Sequence, residues 1–367
     1  MNAIEFNVKL ARSLYLCLNL ILSVLYSYIT VKFISVYNFP IYIILFITTL
    51  IEFFILLDTS YFKIITGIKT KYLYYMLIVF SIVMFIFKSN INITYVLIFY
   101  FVYYLLITIV LLNYNLFVIE ESKSIKAGVT DISIYSNLSK LLGFSLGSYI
   151  YKVNIEEYLI VFIIVFILFS SLKINNYKNK TEKNSERLVF NDLKRKYIVV
   201  NTALLSGAAV FFIPMFIKQL AARNLIQYSS IVFFIPGLTV VLFLILTKKY
   251  EINLNNILIS YIILDIVFFI FVICKVFLPL QVLLLSLIVA LGVSISIRLR
   301  TNFIKINNKE YRKSILQIFR ISAPLFTIVL SLIGLYLENI AYYILLINIL
   351  SAVHVLYVNL RNNKVIL

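Results

Sequence analysis

Four ionisable side chains lie well inside apolar runs of the chain: Glu52, Lys140, Asp265 and Arg320; a fifth, Asp58, closes the run that holds Glu52. Placed in lipid, each would cost several kcal/mol unless paired or hydrated, so such groups are functional candidates by default. A carboxylate there suits the uptake and release of a proton. Lys140 suits either an anionic substrate group or a reach back to the headgroups. Little else in the chain offers chemistry. His354 is the single histidine, and Cys17 and Cys274 sit in apolar runs without metal-ligand or disulfide spacing. No metal centre or cofactor is expected. No G-x-x-x-x-G-K-[ST] stretch occurs, so ATP hydrolysis within this chain is not expected, and neither is any other enzymatic activity.

The elements that must carry these groups follow from composition. The chain has 367 residues, 63% of them hydrophobic and 13% charged, with a mean hydropathy of +1.03. Charged residues make up about a quarter of an ordinary soluble domain, and no water-soluble core could hide this much apolar surface. Apolar runs near 13-36, 39-60, 72-87, 93-117, 131-150, 157-172, 197-217, 225-247, 254-274, 277-297, 314-337 and 340-360 have membrane-spanning length. The expected fold class is therefore an all-α polytopic membrane protein with 12 transmembrane helices. Enrichment in Ile, Asn, Lys, Tyr and Phe resembles the drift of an AT-rich bacterial genome, which places the chain in a bacterial cytoplasmic membrane with the lipid bilayer as its principal partner.

Charge distribution orients these spans. The net charge is +18. With the N-terminus in the cytoplasm, 25 of the 33 Lys and Arg residues fall in cytoplasmic segments and five outside, as the positive-inside rule requires. Both termini are then cytoplasmic. The positive charge is spread over seven separate cytoplasmic segments, which removes nucleic acid as a partner. The first twelve residues lack the small-residue cleavage site of a signal peptide, so the first span is expected to remain in the mature protein.

One connection is long. Residues 173-196, KINNYKNKTEKNSERLVFNDLKRK, separate an N-terminal six-helix bundle (1-172) from a C-terminal one (197-367). Leu188, Val189, Phe190 and Leu193 among its charges fit either a short helix on the membrane surface or a solvated tether. Sliding the second half back by 187 residues places Lys196 on Lys9, Lys313 on Lys126, and Gly334 and Tyr336 on Gly147 and Tyr149. Span order and loop sidedness repeat with them, as in a duplicated, pseudo-symmetric transporter.

Six spans and six, both ends inside and the longest cytoplasmic loop between the sixth and seventh resemble the major facilitator superfamily. Its loop between the second and third spans carries a small residue, an Asp, a Gly and bases. Here Ser60, Ile64, Gly67, Lys69 and Lys71 stand at that spacing, with the Asp missing, and Thr247 and Glu251 occupy the corresponding places in the second half. The resemblance implies that Gly67, Lys69, Lys71 and Glu251 belong to a cytoplasmic latch. Gly143-Phe-Ser-Leu-Gly147 in the fifth span is a GxxxG that lets helices approach closely, and it is similar to the glycine-rich motif of the family's drug and proton antiporters.

The resemblance also implies a cavity built from the first, fourth, seventh and tenth spans, with Asn113, Asn115, Tyr103, Tyr104, Asn201 and Gln219 as candidate lining residues. It packs the second span on the eleventh, where Glu52 and Arg320 lie at matching depths, roughly 12 and 9 Å from the cytoplasmic boundary. A Glu52–Arg320 pair that breaks between access states, with Glu52 taking a proton, is one expectation. The other has Arg320 reaching to the inner headgroups and Glu52 carrying a proton of its own. Asp58 and Lys140 complete the proton-coupling or gating set. Asp265, on a peripheral ninth span, is expected to bond to a neighbouring helix. Pro214 and Pro324 permit kinks in the seventh and eleventh spans.

The function implied is proton-coupled export of a small molecule by alternating access in a monomer. The rival expectations are a lipid-linked oligosaccharide flippase, a membrane polysaccharide polymerase, or a regulatory membrane protein with degenerate transporter ancestry.

Overall fold

The computed structural model describes residues 3–36, 41–58, 64, 68–86, 93–122, 124–153, 163, 165, 167, 200–201, 205, 212–213, 215–250, 252–306, 318, 322, 325–326, 328–329 and 340–361. Among the described residues there are nine α-helices: α1 (Ala3–Ser35), α2 (Ile41–Leu57), α3 (Thr70–Ile86), α4 (Ile93–Glu121), α5 (Ile125–Val153), α6 (Ser229–Lys249), α7 (Leu254–Ile273), α8 (Leu278–Ile306) and α9 (Ile340–Arg361). They occupy the first five apolar runs and the eighth, ninth, tenth and twelfth. The described residues of the sixth, seventh and eleventh runs are helical as well. The 173-196 connection lies outside the described residues.

In lipid a chain must satisfy its backbone N–H and C=O groups internally, and these Leu-, Ile- and Phe-rich runs do so as helices. Among the described residues, six segments are long and apolar enough to cross a membrane, with mean hydropathies of 1.8 to 2.6. Several helices extend past the apolar run that marks them. α1 begins at Ala3, not near residue 13, α5 at Ile125, not 131, and α8 ends at Ile306, not 297. Polar residues such as Lys, Asn and Arg continue a helix readily once it has left the lipid, so hydropathy marks the bilayer crossing and not the helix end.

Two helix ends show how the chain reverses. After the seventh run, Asn224 adopts φ 57°, and the Leu225 and Asn224 amides donate to the carbonyls of Leu220 (2.8 Å) and Ala221 (3.0 Å). After α7, Lys275 adopts φ 49°, with Val276 donating to Phe271 (3.0 Å) and Lys275 to Val272 (3.3 Å). Both are left-handed caps that satisfy orphan carbonyls. At its start, α7 is capped by the Asn253 side chain, which accepts from the Asn255 amide at 3.0 Å.

Burial separates central from peripheral helices. In α1, 83% of the most apolar stretch is buried, whereas in α7 the figure is 28%. α7 presents Ile259, Ile263, Ile266 and Ile270 outward and Leu258, Tyr261, Asp265 and Phe268 inward. An apolar outer face of this kind fits lipid and not water.

α1 packs on α5, α4 and α2, and α5 reaches across to α6 and α8, while α7 packs on α8 and α9. The α1–α5 seam is the tightest. A Cβ on Gly143 would stand 2.7 Å from the Leu20 carbonyl oxygen, and one on Gly147 2.3 Å from that of Val24. Asn19 donates to the Ser136 carbonyl (3.1 Å) and Ser139 to that of Leu16 (3.0 Å), stitching the same seam. Where α1 and α5 end and α6 begins, Val31, Ile34, Ile217 and Phe233 form a separate apolar cluster. Phe144 meets Phe233 in a tilted pair with centroids 5.0 Å apart, and the Ser35 and Tyr151 hydroxyls meet at 2.6 Å.

Candidate functional site

The helix period decides which of the singled-out residues meet. Tyr100 and Tyr104 are one turn apart on α4 and share a face, their rings 5.6 Å apart. Tyr104 donates its hydroxyl proton to Glu52 Oε1 of α2 at 2.9 Å. Glu52 is 2% exposed. Among the described residues the buried Tyr100 hydroxyl has no hydrogen-bond partner, and Tyr26 of α1 and Glu52 are both within electrostatic reach of it. The result is a carboxylate and three phenols drawn from α1, α2 and α4. Sequence reasoning found Glu52 and Tyr104 separately but missed their bond, as well as Tyr26 and Tyr100. The i, i+4 spacing of tyrosines on α4 is the signal that could have grouped them. A charge-assisted bond of this kind is about twice as strong as a neutral one, and a carboxylate so held can exchange its phenol donor for a proton.

Neighbouring residues turn away from this cluster because each step along a helix rotates a side chain by about 100°. Tyr103, 0% exposed, packs against Phe80 and Phe99 and meets the Ser81 hydroxyl of α3. Lys140 lies on the exposed face of α5, whereas Ser139 beside it is buried against α1.

Asn113 and Asn115 are buried on α4, Asn113 donating to Thr70 Oγ1 at 3.5 Å. Asn201 is buried and accepts from Ser351 of α9 at 2.8 Å, and Gln219 is half-buried. Asp58 Oδ1 accepts from the Ile64 amide at 2.9 Å, so a carboxylate does hold the loop position from which the motif's Asp is absent. Lys69 and Lys71 are exposed, and the Lys71 ammonium lies 5.6 Å from the centroid of the Tyr75 ring. Arg320, Gly67, Glu251, Pro214 and Pro324 lie outside the described residues, and with Arg320 the expected partnership with Glu52.

Two features depart from expectation. Asp265 is 0% exposed, yet among the described residues neither of its carboxyl oxygens has a hydrogen-bond partner, so the expected bond to a neighbouring helix is not found there. Asp131, at the edge of the fifth apolar run, passed unnoticed: its Oδ2 accepts from Arg12 Nη2 at 2.6 Å and ties the start of α5 to α1. Among the described residues no group of three or more His, Cys, Asp and Glu could hold a metal ion.

No protein-family model and no curated protein matches the sequence. Solved structures do match along nearly the whole chain. The human organic anion transporter MFSD10 (TETRAN) superposes with a TM-score of 0.67 at 12% identity, covering 97% of this chain and 99% of that one. The E. coli fucose:proton symporter FucP gives 0.63 at 13% identity, covering 99% and 100%. A bacterial homologue of the iron transporter ferroportin, in an outward-facing state, gives 0.64 at 11% identity, covering 97% and 100%. The fold is of the major facilitator type, and the chain is a membrane-embedded helical protein.

Proposed function

We propose that this chain is a secondary transporter of the major facilitator type that exports a small molecule in exchange for protons. It works as a monomer in the cytoplasmic membrane of a bacterial cell. Twelve spans form two six-helix bundles, 1-172 and 197-367, joined by 173-196, with both termini in the cytoplasm. The bundles rock about a cavity between them, lined by α1, α4, the seventh span and α8. The observation that carries this reading is the fold, which superposes over 97–99% of the chain on an organic anion transporter, a fucose:proton symporter and a homologue of an iron transporter.

The Glu52–Tyr104 bond supports the coupling step. Glu52 is deeply buried beside α4, where ionised and neutral forms demand different partners. Ionised, Glu52 holds the Tyr104 hydroxyl. Protonated, it no longer needs that donor, and α2 is released from α4. The apolar cluster of Val31, Ile34, Ile217 and Phe233 joins α1 to the seventh span and α6, so it serves as the seal that closes one end while the other is open.

The test uses membrane vesicles holding a pH gradient, loaded with a pH-sensitive dye and challenged with a panel of small organic cations, anions and sugars. At least one compound class is expected to discharge the gradient in wild-type vesicles and not in Glu52→Gln vesicles, which still exchange that compound down its own gradient. Wild-type discharge by none of the panel, or equal discharge by Glu52→Gln at every pH, overturns the reading.

A further inference from the structure

Two fully buried polar side chains on helices that pack against each other have, among the described residues, all their hydrogen-bonding atoms unused. Asp265 of α7 and Asn348 of α9 are each 0% exposed, and neither the two carboxyl oxygens nor the amide oxygen and nitrogen have a partner.

Their relative height follows from four contacts. Tyr261 donates to the Leu205 carbonyl at 3.1 Å, and Phe268 meets Phe212 edge-on at 5.1 Å, so the seventh span runs parallel to α7. Ser351 donates to Asn201 at 2.8 Å, and Tyr342 meets Phe269 at 6.1 Å. Since Asn201 precedes Leu205, α9 therefore runs antiparallel to α7. On this register Asp265 and Asn348 lie within about one turn of each other in height, roughly 5 Å. Asp265 stands eight residues before Ile273, and Asn348 eight after Ile340. Each is thus about 12 Å from the same end of its helix, well inside the roughly 30 Å hydrocarbon layer. One turn from Asn348, Ser351 and Asn201 extend the buried polar column across a third helix.

We propose that Asp265 and Asn348 form a monovalent-cation site, taking a proton on the carboxylate or a sodium ion between the carboxylate and the amide oxygen. An ionised carboxylate cannot remain bare in such surroundings, and a single positive charge neutralises it. A divalent ion would leave a surplus charge in the lipid. No compensating base is at hand among the described residues. Tyr261, one turn away on α7, has its hydroxyl on the Leu205 carbonyl. Tyr342 of α9 sits one turn further out, against Phe269, and His354 is exposed more than a turn beyond Asn348. Arg298 of α8 reaches the Ile252 carbonyl at 2.5 Å, thirteen residues before Asp265. Binding at this site requires nothing of the transport reading; a role for it in coupling rests on that reading.

The experiment heats the purified full chain in lipid nanodiscs, in a Glu52→Gln background that removes the most buried of the other carboxyls among the described residues; Asp58 and Asp131 stay in every variant, so their response is common to all. One arm titrates sodium chloride against choline chloride at constant ionic strength and pH 8. The other titrates pH from 9 to 5 without sodium. A sodium ligand gives a saturable rise in melting temperature in the first arm, and a proton gives a rise as pH falls in the second. Asp265→Asn, which removes an unpaired charge and so folds, is expected to abolish the response beyond that common part. Asn348→Leu moves its midpoint by on the order of tenfold in ion concentration, the usual effect of losing a group that supports a bound cation. A chain that responds in neither arm, an Asp265→Asn variant that responds as its parent does, or an unmoved midpoint in Asn348→Leu overturns the site. No substrate enters the measurement, so failure of vesicle transport would count against the proposed function and leave this result standing.

Discussion

Replacing Gly147 by alanine tests the backbone contact on which the α1–α5 seam depends. The added Cβ would stand 2.1 Å from Ser27 Oγ and 2.3 Å from the Val24 carbonyl oxygen. A serine hydroxyl can rotate aside, but a carbonyl moves only with its helix, and restoring ordinary contact requires α1 and α5 to part by about 1 Å. Overpacking of this kind costs about 1–3 kcal/mol, and α1 is the most buried of the spans, so the shift has no free surface to absorb it. We expect Gly147→Ala to be destabilised by about 2 kcal/mol in thermal unfolding in lipid nanodiscs. Gly143→Ala, at 2.6 Å from Ser23 Cβ and 2.7 Å from the Leu20 oxygen, should follow closely. Gly237→Ala should suffer less, since its nearest neighbour, Leu141 Cα, is 2.9 Å away. Combining Gly147→Ala with Ser27→Ala removes the 2.1 Å clash and leaves the 2.3 Å one, so rescue should be partial. Full rescue, or a neutral Gly147→Ala, would refute backbone-to-backbone packing at this seam.

Other expectations follow from single contacts. Tyr104→Phe removes the donor to Glu52, a charge-assisted bond of about 1.5–3 kcal/mol, and should lower gradient-driven flux in vesicles about tenfold. Tyr100→Phe, which deletes an unpartnered hydroxyl, should be neutral or slightly stabilising in both flux and melting temperature. Arg12→Ala and Asp131→Ala should each destabilise the chain by about 1 kcal/mol, because the ion pair is only partly buried. The exchange Arg12→Asp with Asp131→Arg should recover part of that loss in the same unfolding assay. In a chain with Cys17 and Cys274 replaced by serine, a cysteine at Lys180 should react with an impermeant maleimide only from the cytoplasmic side and one at Lys275 only from outside; the reverse pattern would invert the proposed topology.

What could be read from sequence follows from what each signal measures. Hydropathy reports desolvation, so it located α7 almost to the residue, because that helix hardly leaves the lipid. It missed ten residues of α1, because Ala3–Arg12 is helical without being apolar enough to read as a crossing. Singling out ionisable residues in apolar runs found Glu52, because burial in lipid makes such a residue conspicuous whatever its partner. The partner was harder to find. Tyr104 is 52 residues away, and tyrosine is too common in this chain for one more to stand out. Asp131 escaped notice because it stands where an apolar run begins, and only the fold shows that Arg12 faces it. Lys140 and Tyr103 show the limit set by helical phase: one residue of rotation moved the first to the surface and the second into the α3–α4 core. The GxxxG of the fifth span announced close packing but not its recipient, which is the serine-lined face of α1.

The central claim is that the two groups of helices alternate in closing the ends of one cavity. Spin labels at Val36 and Arg223 report on one end, beside the cluster of Val31, Ile34, Ile217 and Phe233. Labels at Lys126 and Lys249 report on the other end. Double electron–electron resonance in nanodiscs between pH 5 and pH 8.5 should show two populations for each pair. The fraction with the first pair close should rise as the fraction with the second pair close falls, and in Glu52→Gln both populations should persist in a ratio that no longer changes with pH. One fixed distance at each end under all conditions, or both ends opening together, would contradict alternating access.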